Sequence, residues 1–501
     1  MQPLLPKLDG LRIVAQVGRL DTKALASVDQ LILVLPERPG DTMLKRLPGG
    51  RKLVELLRKR PAGSVPAAMS RSDNKRQTLT VVGKTRAGRE TFERLNLARE
   101  LVAAATTEKA GILGIAVQGF DTAETAALTA ALVAAALAAG APLPEFKHKA
   151  TPAKIKSLRL LGLDEKPDLD RLRAEARGNH LARWLTALPP NKLDATAYAD
   201  LTRSLAGEHG WDFKRYGIKE LTKLGAGAFL AVAQGNADES AGIIRLRYRP
   251  AAKSEAPAVA LVGKGIIFDT GGTNLKPFQS MLDMHGDMQG SAVALGTLLA
   301  LSSLRVPFAV DCWLAITENR TGPTAYKSQD LITALNGKTI QTIHTDAEGR
   351  MALADTLTLA CRESPGLVID YATLTGSCID AITTRYSGAF TNRPDWHPRL
   401  KRTGRASGER VWPFPIGEEF LEDLKSPVAD LMQCTVKGTG DHIYAASFLA
   451  EFVEKDTPWI HIDLAAGEHD GGLGHVPTKV TGCGVRLTLA LLLDENIGET
   501  R

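Results

Sequence analysis

Cysteine is scarce in this sequence. Five occur in 501 residues (Cys312, Cys361, Cys378, Cys434 and Cys483), an odd number, widely scattered and with no C-x-x-C. That excludes a disulfide framework and a cysteine zinc finger, and it points to a reducing, cytoplasmic compartment. A large excess of one charge is also missing. The net charge of +6 is spread over the whole chain, which excludes a nucleic-acid-binding tail. The N-terminal stretch "MQPLLPKLDGLRIVAQVG" has no long apolar core behind a basic start, so no signal peptide is expected. Thr125 to Pro144 carries no charge, but it is mostly alanine and follows the cap-like Asp121-Thr122-Ala123-Glu124. A buried helix is expected there rather than a membrane span. Repeats and low-complexity tracts are absent. So is a phosphate-binding loop: "VGKGIIFDTGG" (Val262 to Gly272) lacks the G-x-x-x-x-G-K-[ST] spacing.

What is present is ample core material, 44% hydrophobic residues, in a chain long enough for two domains. Short apolar runs alternate with helical ones from the start. "LRIVAQV", "QLILVLP", "LTVVG" and "GILGIAVQG" read as strands, and "RETFERLNLARELVAAA" as helix. The expected fold class is α/β in two domains. A smaller N-terminal α/β domain spans 1–167, a linker helix 168–190, and a larger α/β/α domain with a mixed central sheet 191–501. The charged segment from Asp168, stopped by Pro189-Pro190, supplies the linker. In the larger part, "GIIRLRYR", "PAVALVG", "PFAVDCWLAIT" and "GLVIDYATLTG" read as strands. A helix is expected from about Asp287 to Leu304, and Asn336-Gly337 marks a hairpin. The basic run Lys45 to Arg60 reads as a solvated helix face.

The stretch "HTDAEGRM" (His344 to Met351) alternates charge beside a glycine. Thr345 and Glu348 have capping-box spacing ahead of a helical run. On an extended segment, residues two apart share a side, so Asp346 and Glu348 would face one point. Asp269 and Asp287 recur near strand ends, where open α/β sheets bind ligands. Four carboxylates brought together repel one another, and a pair of divalent cations removes that conflict. Lys264 can join them as a neutral amine.

These residues carry a resemblance. "VGKGIIFDTGG", then "LKP", "DM" and "TDAEGR", in this order and spacing, resemble the leucyl aminopeptidase (cytosol aminopeptidase) family, as a divergent subgroup. The likeness runs from about "NHLARWLTALPPNKL" to near the C-terminus, through "NGKTI", "YATLTGS", "GERVWPFP", "AASFLAEFV" and "PWIHIDL". It implies a dinuclear-metal aminopeptidase acting on peptides with a free N-terminus, as a homohexamer, with two divalent ions per subunit (manganese, zinc or magnesium). Carried over position by position, the metal ligands are Lys264, Asp269, Asp287, Asp346 and Glu348. Lys276 would stabilise the oxyanion, and Arg350 would hold a bicarbonate as general base, since its own proton is held too firmly. Met284, Thr373, Leu374 and Gly376 would line the substrate pocket. The chain departs from the family at His285, at His344, at Asp441-His442 and after "PWIHIDL", where an alignment without gaps puts Glu468 at a pocket methionine, favouring a cationic side chain, and an alignment with a gap turns Glu468 to solvent or to a neighbouring subunit. Two other roles remain open: DNA binding through the basic run, a minor expectation, and a hexameric scaffold with peptidase activity secondary or absent. No membrane partner is expected.

Overall fold

In a computed structural model of the chain, the described residues are 4–5, 8, 10–59, 63–108, 110–149, 151, 154–250, 257–454 and 456–497. They form two compact units. One holds Lys7–Ala176 and Asp470–Lys479; the other holds Arg177–His469 and the chain from Val480, with the first few N-terminal residues. The division falls inside the helix Asp170–Thr186.

The first unit is built on strands β1 (Arg12–Val17), β2 (Gln30–Pro36), β3 (Ala68–Arg71), β4 (Leu79–Thr85), β5 (Ala110–Val117) and β6 (Ile155–Leu163). Their order is β1-β6-β5-β2-β4-β3, all parallel except the edge strand β3. The run "QLILVLP" is apolar without alternation because a parallel sheet is covered on both faces. The helices Thr91–Ala105 and Thr122–Gly140 bury Leu95, Leu101, Leu132 and Ala136 in the same core. Asp121 caps the alanine-rich helix by accepting from the Glu124 amide at 2.8 Å. Among the described residues this helix alone is long and apolar enough to cross a membrane, and 61% of that stretch is buried.

Within the basic run, Lys45 ends the helix Asp41–Lys45, and Gly50–Lys59 forms the next helix. It buries Leu53 and Val54 and leaves Arg51, Lys52, Arg58 and Lys59 in solvent, with Arg58 paired to Asp41 at 2.5 Å. Arg60 lies outside the described residues.

The second unit carries strands β7 (Asp212–Gly217), β8 (Gly242–Tyr248), β9 (Val259–Asp269), β10 (Val310–Asn319), β11 (Leu331–Thr333), β12 (Thr339–Gln341), β13 (Leu367–Ala372), β14 (Ser387–Thr391), β15 (Val411–Pro413), β16 (Leu431–Met432) and β17 (Trp459–Asp463). Eight form a mixed sheet in the order β15-β14-β17-β13-β9-β10-β8-β7. Its centre, β17-β13-β9-β10, is parallel, and β14 and β8 join it antiparallel on either side. The hairpin β11–β12 turns through Asn336-Gly337, with Gly337 at φ +88°.

Helices cover both faces of the central strands. The helix Gln289–Ser303 is apolar on every side and nearly all buried. It approaches so closely that a Cβ at Gly263 of β9 would lie 2.4 Å from Ser291 Cα. On the other face, Ala352, Leu353 and Leu357 of the helix Glu348–Cys361 share a core with Ala260, Val262 and Trp313. This three-layer packing aligns the carboxyl ends of four parallel strands.

Candidate active site

The site lies at those strand ends, the usual ligand position of an open α/β sheet. β9 supplies two residues. Lys264 is two residues beyond Val262 and so lies on the face covered by the helix Glu348–Cys361. Asp269 ends the strand. Gly271 and Gly272 then adopt left-handed φ values of +85° and +65°, which side-chain-bearing residues resist. The chain turns back there, and Lys276 Nζ reaches Asp269 Oδ2 at 2.9 Å and also pairs with Asp346. Asp287 sits in the short 3-10 turn Met284–Met288, which runs directly into the buried helix Gln289–Ser303.

The "TDAEGR" segment is not extended. Thr345 and Asp346 form a turn, and Glu348 is the first residue of its helix. The capping-box expectation also fails. The N-cap is Ala347, without a side-chain cap bond. Thr345 Oγ1 instead donates to the Gly271 carbonyl at 2.6 Å and accepts from the Asn274 amide at 2.8 Å. That hydroxyl pins the turn to the glycine loop. Convergence still follows: ligand oxygens of Asp269, Asp346 and Glu348 all lie within 4.8 Å of one another.

Lys264 Nζ joins the remaining acid to this trio, at 2.8 Å from Asp287 Oδ1 and 2.9 Å from Glu348 Oε1, and donates to the Thr373 carbonyl at 3.0 Å. Gly349 makes room for it, since a Cβ there would lie 2.5 Å from Lys264 Cε. Glu348 therefore belongs to both halves of the cluster. Four carboxylates face two ammonium groups in a largely buried space. Burial, then the Asp269 carboxylate, push Glu348 and Asp346 above the usual carboxylate range. Burial also raises Asp287, against the pull of Lys264. For Lys264, burial alone would depress the ammonium, but Asp287, Glu348 and Asp269 outweigh it and hold it above its ordinary range. Lys276 is likewise raised by Asp269, Glu348 and Asp346 against burial.

This donor set fits divalent cations. Carboxylates outnumber cationic groups, and Asp287 Oδ2 is buried without a hydrogen-bond partner. Such an atom is costly unless something occupies its lone pairs.

Other groups fix these side chains. Asn319, buried at the end of β10, donates to Asp269 Oδ1 at 2.8 Å and to the Thr345 carbonyl at 3.0 Å. Its only trace in the sequence is a polar residue closing an apolar strand. Tyr326 donates to the same carbonyl at 2.8 Å. Of the expected pocket residues, Met284 opens the turn that carries Asp287, and Thr373 Oγ1 donates to Asp287 Oδ1 at 2.7 Å. The Leu374 amide donates to Asp463 at the end of β17, and Gly376 begins the helix Gly376–Ile382. Glu468 is half-buried beside the same turn, its Oε1 3.3 Å from where a Cβ at Gly286 would stand. His442 Nδ1 pairs with Ser377 Oγ at 3.1 Å and its ring packs on Phe414. His285 lies in the Met284–Met288 turn, and the His344 ring accepts from the Asp346 amide at 3.3 Å.

Arg350 differs from expectation. It is buried, and its two terminal nitrogens grip both oxygens of Asp441, at 3.0 and 2.5 Å, while Nη1 also donates to the Gln433 carbonyl. The fork expected to hold a bicarbonate is closed by a side chain of this chain, so the residues present do not fit that anion.

Residues 180–489 match the cytosol aminopeptidase family, catalytic domain. A probable cytosol aminopeptidase of Syntrophotalea carbinolica is 42% identical over 328 residues, and the match spans 65% of this chain and 65% of that protein's length. One from a Synechococcus species is 37% identical over 84% of this chain and 86% of its own length. Among solved structures, a mutant of tomato leucine aminopeptidase superposes with a TM-score of 0.82 at 25% identity, covering 97% of this chain and 96% of its own. The bottromycin maturation enzyme BotP in complex with Mn gives 0.78 at 28% identity, covering 94% and 100%. The family match includes every residue of the site, and the chain belongs to the cytosol aminopeptidase family.

Proposed function

We propose that the chain is a metal-dependent aminopeptidase that removes residues from the free N-terminus of peptides. The observation that carries this reading is the buried cluster of Asp269, Asp346 and Glu348, joined to Asp287 through Lys264. The Mn in BotP and the aminopeptidase names of the relatives support it. Asp269, Asp287, Asp346, Glu348 and Lys264, as a neutral amine, would hold two divalent ions. When bound, such ions supply Lewis acidity and lower the pKa of water.

The chain's own residues do the rest. Lys276 carries a charge in a water-poor site, where a fixed cation stabilises a developing oxyanion most. Asn319 and Thr373 hold Asp269 and Asp287 in place, so little reorganisation is needed during reaction. Met284, Thr373, Leu374 and Gly376 border the turn and strand end beside Asp287, and they form the proposed pocket for the first side chain. A homohexamer in the cytoplasm is part of the same reading, supported by the family.

The test is hydrolysis of a panel of aminoacyl amides after exhaustive chelation and readdition of manganese, zinc or magnesium, with N-acetylated peptides in parallel. The stripped protein should be inactive and one of the ions should restore it. Acetylated peptides should be inert, because the free α-amine is the recognised group. Full activity without metal, or equal cleavage of acetylated peptides, would overturn the reading.

A further inference from the structure

The Arg350–Asp441 pair has a geometry that a simple surface ion pair does not need. Arg350 is almost wholly buried, two residues after Glu348 on the same helix. Asp441 opens the helix Asp441–Ala450 and keeps part of its carboxylate in solvent. Its two oxygens take both terminal nitrogens of the guanidinium, the planar two-point match that a small oxyanion would otherwise make. Among the donors of Arg350, Nε has no partner, and one N–H cannot reproduce that fork. The pair is tied to the edge of the reaction space: Arg350 Nη1 donates to the Gln433 carbonyl, Gln433 Oε1 accepts from the His344 amide at 3.1 Å, and His344 lines a cavity of about 390 Å³ with Lys276 and Asp346.

We propose that Asp441 is the resident proton carrier of this site, held by Arg350 in place of an exogenous bicarbonate, so that turnover needs no added anion. The proposal rests on the aminopeptidase reading. In the reaction, the Asp441 carboxylate takes one proton from water as the water oxygen bonds to the scissile carbonyl carbon. It returns that proton to the leaving nitrogen as the C–N bond breaks. One water is consumed, an amino acid and a shortened peptide are released, and no redox change occurs. Carboxylates commonly serve as such acid–base groups. Arg350 is then a positioning residue that fixes the carboxylate's orientation.

The experiment uses the full chain loaded with manganese, in carbonate-free buffer with and without added bicarbonate or formate. The wild-type rate should be indifferent to either anion. Asp441→Ala should lose about 10²-fold in kcat with little change in KM, and bicarbonate or formate should restore part of it. Asp441→Asn keeps the shape and a hydrogen-bond acceptor, so it guards against misfolding; it should be as slow and should not be rescued. Calorimetry gives a readout independent of turnover: bicarbonate should bind Asp441→Ala and not the wild type. A wild-type rate that rises with bicarbonate, or an Asp441→Ala protein at full kcat without anions, would overturn the proposal. A wild type that cleaves no aminoacyl substrate would instead sink the aminopeptidase reading, while calorimetry would still report whether Asp441 occupies the fork.

Discussion

Lys276 and Gly349 show how much the site depends on single side chains. Lys276 bonds to Asp269 and Asp346 through its ammonium group but is not among the groups proposed to hold metal. Lys276→Ala should therefore keep its metal content, measured by atomic absorption, while kcat falls by about 10²–10³-fold. Normal turnover would refute the oxyanion role. Gly349 acts through space alone. Gly349→Ala places a methyl 2.5 Å from Lys264 Cε, so the end of the Lys264 side chain must shift. Overpacking of this kind costs about 1–3 kcal/mol. The expected result is a folded protein with lower metal affinity by calorimetry, because Lys264 must leave Asp287 and Glu348. Glu468 is expected to govern choice rather than rate. Its carboxylate lies beside the turn of Met284 and Asp287 and would disfavour an apolar side chain. Glu468→Met should raise the leucine-to-arginine ratio of kcat/KM by about tenfold. An unchanged ratio would remove Glu468 from the pocket.

At the scale of elements, the helix Glu348–Cys361 both carries Glu348 and locks its surroundings. Seven residues after Glu348, the buried Asp355 accepts from the Phe229 amide and the Leu335 amide, each at 2.8 Å. It thereby ties the helix Gly227–Ala233 and the β11–β12 hairpin to the helix bearing Glu348. Burial, opposed by these backbone bonds, raises its pKa to about 6. A folded-state pKa above the unfolded value of about 3.9 means that the protonated form favours folding. Its contribution is complete below pH 4 or so and is lost as pH rises through about 6. Asp355→Asn does not titrate and leaves one amide poorly paired, at a cost of about 1–3 kcal/mol. Urea unfolding of both proteins should show the wild-type advantage shrinking between these pH values and constant above them. A pH-independent gap would contradict the assignment. The same scale shows where sequence reading fell short. "GLVIDYATLTG" and "PFAVDCWLAIT" announced β13 and β10, because buried parallel strands need continuous apolar runs. "TDAEGR" suggested an extended segment, whereas Thr345 binds the Gly271 loop and forces a turn.

For the whole molecule, the paired lysines decide how the protein responds to metal removal. In small zinc domains chelation unfolds the chain, because nothing else neutralises the ligands. Here Lys264 and Lys276 already bridge the carboxylates, and two apolar cores hold the second and first units independently of the site. Chelation should leave the far-ultraviolet circular dichroism unchanged and lower the melting temperature. Manganese at one hundred times its Kd should restore about 2.7 kcal/mol. Unfolding on chelation, or no shift with any divalent ion, would count against a site built this way.

The sequence by itself determined the strand and helix pattern, the alanine-rich core helix and the identity of the acids and lysines at the strand ends. It could do so because burial periodicity and local motif spacing are properties of neighbouring residues. Only the tertiary structure decided which distant groups meet. Asn319 reaches Asp269 across 50 residues, and Asp441 reaches Arg350 across 91. The segment Asp470–Lys479 joins the first unit from near the end of the chain. Such contacts are set by which strand ends and helix starts the folded sheet places side by side, and no local spacing encodes that. The pairing of Asp441 with Arg350 is the consequential case: from the sequence alone Asp441 was a departure from a family pattern, and in the fold its carboxylate takes both terminal nitrogens of the guanidinium.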